Sequence, residues 1–170
     1  MVANCAMAEK MQYRHNFDHE PSVIKDVFDG SHYQALLETI IPDSTHFFFS
    51  DLRDIALGLS MDGFAPFKRR NKTCWPIILF NYNLPPEVRF QKKYCLHVGT
   101  VPGPKKPWDL DSFCWPLAHD LVQLEIGIAA FDALAMTMFC LHVYLIVAFG
   151  DIPAMALVMR MKGQNGLSPC

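Results

Sequence analysis

Two aspartates stand where apolar segments end. Asp62 follows DIALGLSM, and Asp151 follows LHVYLIVAFG. A carboxylate in such a place is costly to bury without a metal ion, a cation or hydrogen-bond donors beside it. Two acids at the ends of core strands supply the hard oxygen ligands that a divalent-metal phosphoryl-transfer site requires. The simpler role for either is a strand-end carboxylate bonded to turn amides. Other acids have more ordinary assignments. Asp54, near the start of the first strand, suits an exposed or Arg53-paired position. Asp109 or Asp111 suits a helix cap, and Asp132 a solvated helix end.

The remaining chemistry-bearing residues are less pointed. His97 and His142 lie on apolar strand-like segments and read as core histidines with satisfied partners, whereas His119 reads as surface. Basic residues cluster as Lys68, Arg69, Arg70 and Lys72, then Arg89, Lys92 and Lys93, then Lys105 and Lys106. On charge alone these form a solvated rim, because the net charge of −2 does not describe a strongly basic body. Trp75, Trp108 and Trp115 suit core or turn packing better than base stacking. No Ser-His-Asp arrangement or phosphate-cradling glycine loop stands out, and nothing supports a nucleotide cofactor.

The elements that must position the two acids follow from the hydrophobic pattern. DIALGLSMD predicts a first strand, TCWPIILFNYN a second and YCLHVGTV a third, ended by the rigid turn PGPKKP. A helix is expected over SFCWPLAHDLVQLEIGIAAFDAL, with Phe113, Leu117, Leu121, Leu124 and Ile128 on one buried face. MFCLHVYLIVAF, nearly continuous in apolar residues, predicts a fourth strand covered on both faces. IPAMALVMRMK begins a further helix, ended near Gly163 and Asn165-Gly166. The order βββαβ is a meander plus a crossover; among the several topologies open to that pattern, one is the opening half of an RNase H-like α/β fold. There the fourth strand lies parallel to the first, bringing Asp62 and Asp151 together. Residues 1–45, with short helices in MAEKMQYRH and HYQALLETI around a loop, are expected as an N-terminal extension to the domain at 46–170.

Bulk properties bound the class. The 170 residues fit one domain with a real core, and 51% hydrophobic against 19% charged residues excludes disorder throughout. Six scattered cysteines without a C-x-x-C pair, after a start lacking an apolar signal segment, predict a reduced intracellular protein that is not secreted. Most of these cysteines are expected in the core. Residues 133–150 carry no formal charge, but Asp132 and Asp151 bracket them and no basic flank follows, so a buried strand is preferred to a membrane span.

SMDGFAPFKRR, TCWPIILFNYNLPPEVRF, VPGPKKPWDLDSFCWPL and FGDIPAMALVMRMKGQNG closely resemble the transposase family of CACTA-type (En/Spm-like) DNA transposons, and the segments before residue 45 look similar too. The resemblance implies a cut-and-paste, nuclear transposase whose RNase H-like domain uses two aspartates and a later glutamate to hold Mg²⁺ or Mn²⁺. Carried onto this sequence, the aspartates are Asp62 of MDGF and Asp151 of FGD. The implied partner is transposon-end DNA, and Lys68, Arg69, Arg70 and Lys72 beside Asp62 become candidate phosphate contacts.

The sequence also departs from the family pattern. No Glu follows Asp151, and Gln164 stands where related sequences carry His in a GHNG segment. Similar sequences continue from the terminal cysteine as Cys-x-x-Cys, so zinc through Cys170 belongs only to a longer chain. The expectation is a transposase fragment that lacks its third acid and is inactive alone. The alternatives are a non-catalytic DNA-binding or protein-interaction remnant, and a decayed frame without a stable product. An incomplete sheet also predicts self-association through its open edge and exposed apolar surface.

Overall fold

The computed structural model describes residues 1–42, 44–65, 73–103 and 109–161. Its centre is a mixed four-stranded sheet in the order β3-β2-β1-β6. The strands are β1 (Ile55–Met61), β2 (Cys74–Asn81), β3 (Leu96–Pro102) and β6 (Val143–Phe149). The first three form an antiparallel meander, and β6 runs parallel to β1. The helix α4 (Leu110–Ile126) makes the crossover, in keeping with the α/β class read from the sequence.

Side-chain alternation divides β1 between two layers. Ile55, Leu57 and, in part, Leu59 pack on Leu117, Leu121 and Leu124 of α4. Met61 joins Ile77, Val101 and Leu110 farther along that face. Ala56 faces the other way, into Phe28, Tyr33, Phe49, Tyr82, Tyr144 and Ile146. Residues from the N-terminal segment thus share the core of the sheet. They come from α1 (Cys5–Lys10), α2 (Ser31–Leu37) and the turns around them. Tyr33 stacks edge-on against Phe28 at 4.8 Å, and Phe49 against Tyr144 at 4.8 Å. The short α3 (Pro86–Arg89) follows β2.

Three expectations need correction here. The crossover helix stops at Ile126, because Gly127 turns to φ 108°, a conformation open to glycine and strained for other residues. The chain then forms a hairpin of β4 (Ile128–Asp132) and β5 (Thr137–Leu141). The predicted fourth strand is therefore two strands, split at His142. Ile128 consequently leaves the helix face and is 40% exposed, as is Phe113 at 47%, while Leu110 and Cys114 complete the buried stripe. A helix-spaced apolar pattern is equally available to a short hairpin, and the glycine decided between them.

The cysteines also differ from expectation. Cys5 and Cys140 are exposed, and Cys74, Cys95 and Cys114 are half-buried, all as free thiols. Among the described residues, no helix is long and apolar enough to cross a membrane. The uncharged run at 133–150 forms the hairpin turn, β5 and β6. Gly163, Gln164 and Asn165-Gly166 lie outside the described residues.

Candidate functional site

Asp62 and Asp151 emerge at the carboxyl ends of the neighbouring parallel strands β1 and β6. A β-bulge shifts the register of the two strands before they reach these acids. Ile55 lies beside Val143 and Leu57 beside Leu145, but Gly58 lies beside Val147 and Ser60 beside Phe149. Ile146 is the extra residue. A one-residue slip transfers every later side chain of that strand to the other face. Val147 and Phe149 accordingly flank Gly58, where a Cβ would lie 3.2 Å and 3.4 Å from them. The pairing ends at Ser60 and Phe149; extended two residues, the same register would set Met61 beside Gly150 and Asp62 beside Asp151. The strands are still touching there, since a Cβ on Gly150 would sit 2.7 Å from the Met61 carbonyl oxygen. On the unbulged ladder Asp62 would instead meet Gly150.

The two carboxylates are held differently. Asp151 is the N-cap of α5 (Ile152–Val158), and its Oδ1 accepts a 2.7 Å hydrogen bond from the Ala154 amide. That is the turn-amide role weighed from the sequence, and among the described residues it leaves Oδ2 uncommitted. Asp62 is exposed and has no hydrogen bond or ion pair with any described residue. Behind it, Gly63 lies flat on the Trp75 indole, where a Cβ would approach the ring to 2.8 Å. Trp75 is thus a packing residue; its Nε1 is buried and has no partner among the described residues. Asp109 caps α4, accepting from the Ser112 amide, and Asp111 pairs with Arg160 just beyond α5. A pair of carboxylates suits Mg²⁺, which keeps several waters and takes its other ligands from substrate phosphates. Among the described residues, no group of three or more His, Cys, Asp or Glu could hold a metal ion.

Lys68, Arg69, Arg70 and Lys72, together with Lys105, Lys106, Trp108 and Cys170, lie outside the described residues. Trp115 is 70% exposed on α4, which corrects its assignment to packing. His97 is exposed and bonds Thr100 Oγ1 at 2.7 Å, so it is not a core histidine; a strand that lines the sheet edge has a solvent face. His119 is exposed, as expected.

Sequence reasoning missed the buried polar cluster at the opposite end of β1. Asp54 has no exposed surface and faces His142 Nδ1 at 3.3 Å, rather than solvent or Arg53. Its Oδ2 accepts from the Asp51 amide, yet burial pushes its carboxyl above the ordinary range. Arg14 donates to the carbonyls of Asp54, Asp51 and Leu52 and to the Tyr33 hydroxyl. Arg53 pairs instead with Asp51 at 2.6 Å and Asp132 at 3.3 Å. Asp132 is therefore a buried hairpin residue, accepting from the Leu134 and Ala135 amides, and not a solvated helix end. Nearby, Arg89 and Asp26 form a two-pronged pair, 2.7 Å on each arm. A cleft of about 720 Å³ opens between this cluster and α1, lined by Gln12, His15, Asp51, Arg53 and Asp132 among others. Only pairing across distant segments marks these residues, and spacing along the chain carries no signal for it.

Residues 28–170 match the family described as transposase family tnp2. The chain belongs to that transposase family. The match spans the sheet, α4 and both strand-tip aspartates, and it makes DNA the general class of partner. No curated protein and no solved structure matches the chain.

Proposed function

We propose that this chain carries two of the metal-binding carboxylates of a CACTA-type transposase, on an RNase H-like sheet, and that the intact activity is cleavage and joining of transposon-end DNA in the nucleus. What supports this reading is that Asp62 and Asp151 follow the carboxyl ends of the parallel strands β1 and β6, whose bulge-shifted register, extended two residues past Ser60 and Phe149, would make them neighbours. Ligands of open α/β sheets bind at that edge. Asp62 and Asp151 Oδ2 would hold Mg²⁺ or Mn²⁺, which when bound supplies Lewis-acid activation of a phosphoryl oxygen. Asp62, unpaired with any cation among the described residues, gives the site its negative charge. Asp151, tied to α5, fixes the spacing. Lys68, Arg69, Arg70 and Lys72 follow Asp62 closely in sequence and are proposed to hold DNA phosphates without reading bases.

The test is Mn²⁺ binding by the purified 170-residue chain, followed by titration calorimetry and by Mn²⁺ electron resonance. Binding is expected in the wild type and lost in Asp62→Asn. Equal binding in both would overturn the metal assignment. With only two of the three acids in these residues, no cleavage of transposon-end DNA is expected. Robust cleavage that vanishes in Asp62→Ala would refute that inactivity. Salt-dependent DNA binding should survive Asp62→Ala and fall when Lys68, Arg69 and Arg70 are neutralised.

A further inference from the structure

A second constellation stands apart from the strand-tip acids. Cys140 Sγ faces His142 Nε2 at 3.7 Å, and His142 Nδ1 faces Asp54 Oδ1 at 3.3 Å. From interior to surface the order is carboxylate, imidazole, thiol: Asp54 is fully buried, the His142 side chain is 17% exposed, and Cys140 is exposed. A buried carboxylate against Nδ1 selects the tautomer that carries its proton there. That leaves the Nε2 lone pair directed at the thiol. An imidazole so placed is a base for a cysteine nucleophile.

The surroundings fit this arrangement. Gly127 lies directly against the pair; a Cβ there would come within 2.6 Å of Cys140 Sγ and 2.8 Å of His142 Nε2. Its φ of 108° strains other residues as well, so the fold keeps this approach free of a side chain. The Tyr144 ring stacks parallel to the imidazole, with centroids 6.2 Å apart, and fixes its plane. The charged and titratable groups packed around the neighbouring Asp54 and Tyr144 are Asp51, Arg14 and Glu125. No other described cysteine has an imidazole beside it. Cys5 donates to the Ala133 carbonyl, and Cys95 to the carbonyls of Phe90 and Gln91.

We propose that Cys140 is a histidine-activated thiol and a site of oxidation by small peroxides. His142 Nε2 takes the thiol proton, and the sulfur attacks one peroxide oxygen. The S–O bond forms as the O–O bond breaks. The departing hydroxide takes the proton from the imidazolium and leaves as water. Cys140 becomes a sulfenic acid and the peroxide is reduced. The cleft of about 720 Å³ beside α1 is not lined by Cys140, which suits a small reactant arriving from solvent.

The experiment treats the full chain with hydrogen peroxide near pH 6.5, traps sulfenic acid with dimedone, and quantifies each cysteine by peptide mass spectrometry. Cys140 should label at least about tenfold faster than exposed Cys5, because an unassisted thiol is almost wholly protonated at that pH. His142→Gln should bring Cys140 down to the rate of Cys5. Equal rates for the two cysteines in the wild type, or an unchanged rate in a folded His142→Gln, would overturn the proposal. Should His142→Gln fail to fold, the wild-type pH profiles decide. Cys140 labelling is expected to rise at lower pH than Cys5 labelling, and coincident profiles would refute the assignment.

Discussion

The two ends of β1 carry acids of opposite character. At its foot, Asp54 is fully buried among Arg14, His142 and Asn83, with Asn83 bonding both the Ala56 amide and the Asp54 carbonyl. At its tip, Asp62 is exposed and unpaired among the described residues. The difference separates what holds the fold from what is available for chemistry. Buried polar groups must be satisfied by the protein itself, so Asp54 has little left to offer a ligand directly and acts only through His142. A carboxylate at the tip keeps its lone pairs for water or a metal ion.

The largest break in this contrast should come from the foot. Arg89→Met strands the Asp26 carboxylate, and loss of one partner from a buried pair costs about 3–5 kcal/mol. Urea unfolding measures this, and a loss within noise would show that the pair is dispensable.

Gly58→Ala comes next. The new methyl would lie 2.5 Å from Tyr82 Cε2, beside the bulge. Overpacking of this kind costs about 1–3 kcal/mol. Because the bulge sets the register of Asp151, Mn²⁺ binding should weaken along with stability. Weakened stability with unaltered Mn²⁺ binding would separate the bulge from the site.

Asp151 sharpens the comparison further. Asp151→Ala removes an N-cap and should cost about 0.5–2 kcal/mol, whereas Asp151→Asn keeps the cap and should cost little. Both should impair Mn²⁺ binding. Asp62→Asn should change stability by no more than about 0.5 kcal/mol. A larger loss would mean that Asp62 is a structural residue after all.

Acid titration distinguishes the buried acids from one another. Burial would raise the Asp26 carboxyl, but hydrogen bonds from Arg89, Tyr13 and the Val27 amide outweigh it and hold it below its ordinary 3.8. Its folded value is depressed, so its contribution is whole above the ordinary value and is lost as pH falls through the depressed one. Asp54 has the reverse sign. Burial raises it, so its ionisation weakens the fold as pH climbs from the ordinary value through the raised one. Unfolding midpoints of the wild type and Asp54→Asn across the acidic range test this. The variant should lose the decline assigned to Asp54 while keeping the rise assigned to Asp26.

Much of the sheet was legible because its strands are separated by strong turn signals. Those of 54–62, 73–83 and 94–101 all appear within a residue or two of the predicted places. The hairpin of β4 and β5 was not, because ALAMTMFCL offers neither Asn-Gly nor Pro to mark its turn. The turn uses Met136 at φ 52° instead. Of the candidate site, Asp62 and Asp151 could be named from position alone. The Asp54–His142 pair could not, because its members are 88 positions apart in the chain.

Composition, hydrophobic period and turn residues by themselves determined an α/β chain with a meander, a crossover helix and two acids at strand ends. Those signals are local, and each is written within a few neighbouring residues. Only the tertiary structure decided that Ile146 bulges, that Gly150 packs against the Met61 carbonyl, and that Asp54 is shut away from water. Register and burial depend on which distant segments meet, and no short stretch of sequence carries that information.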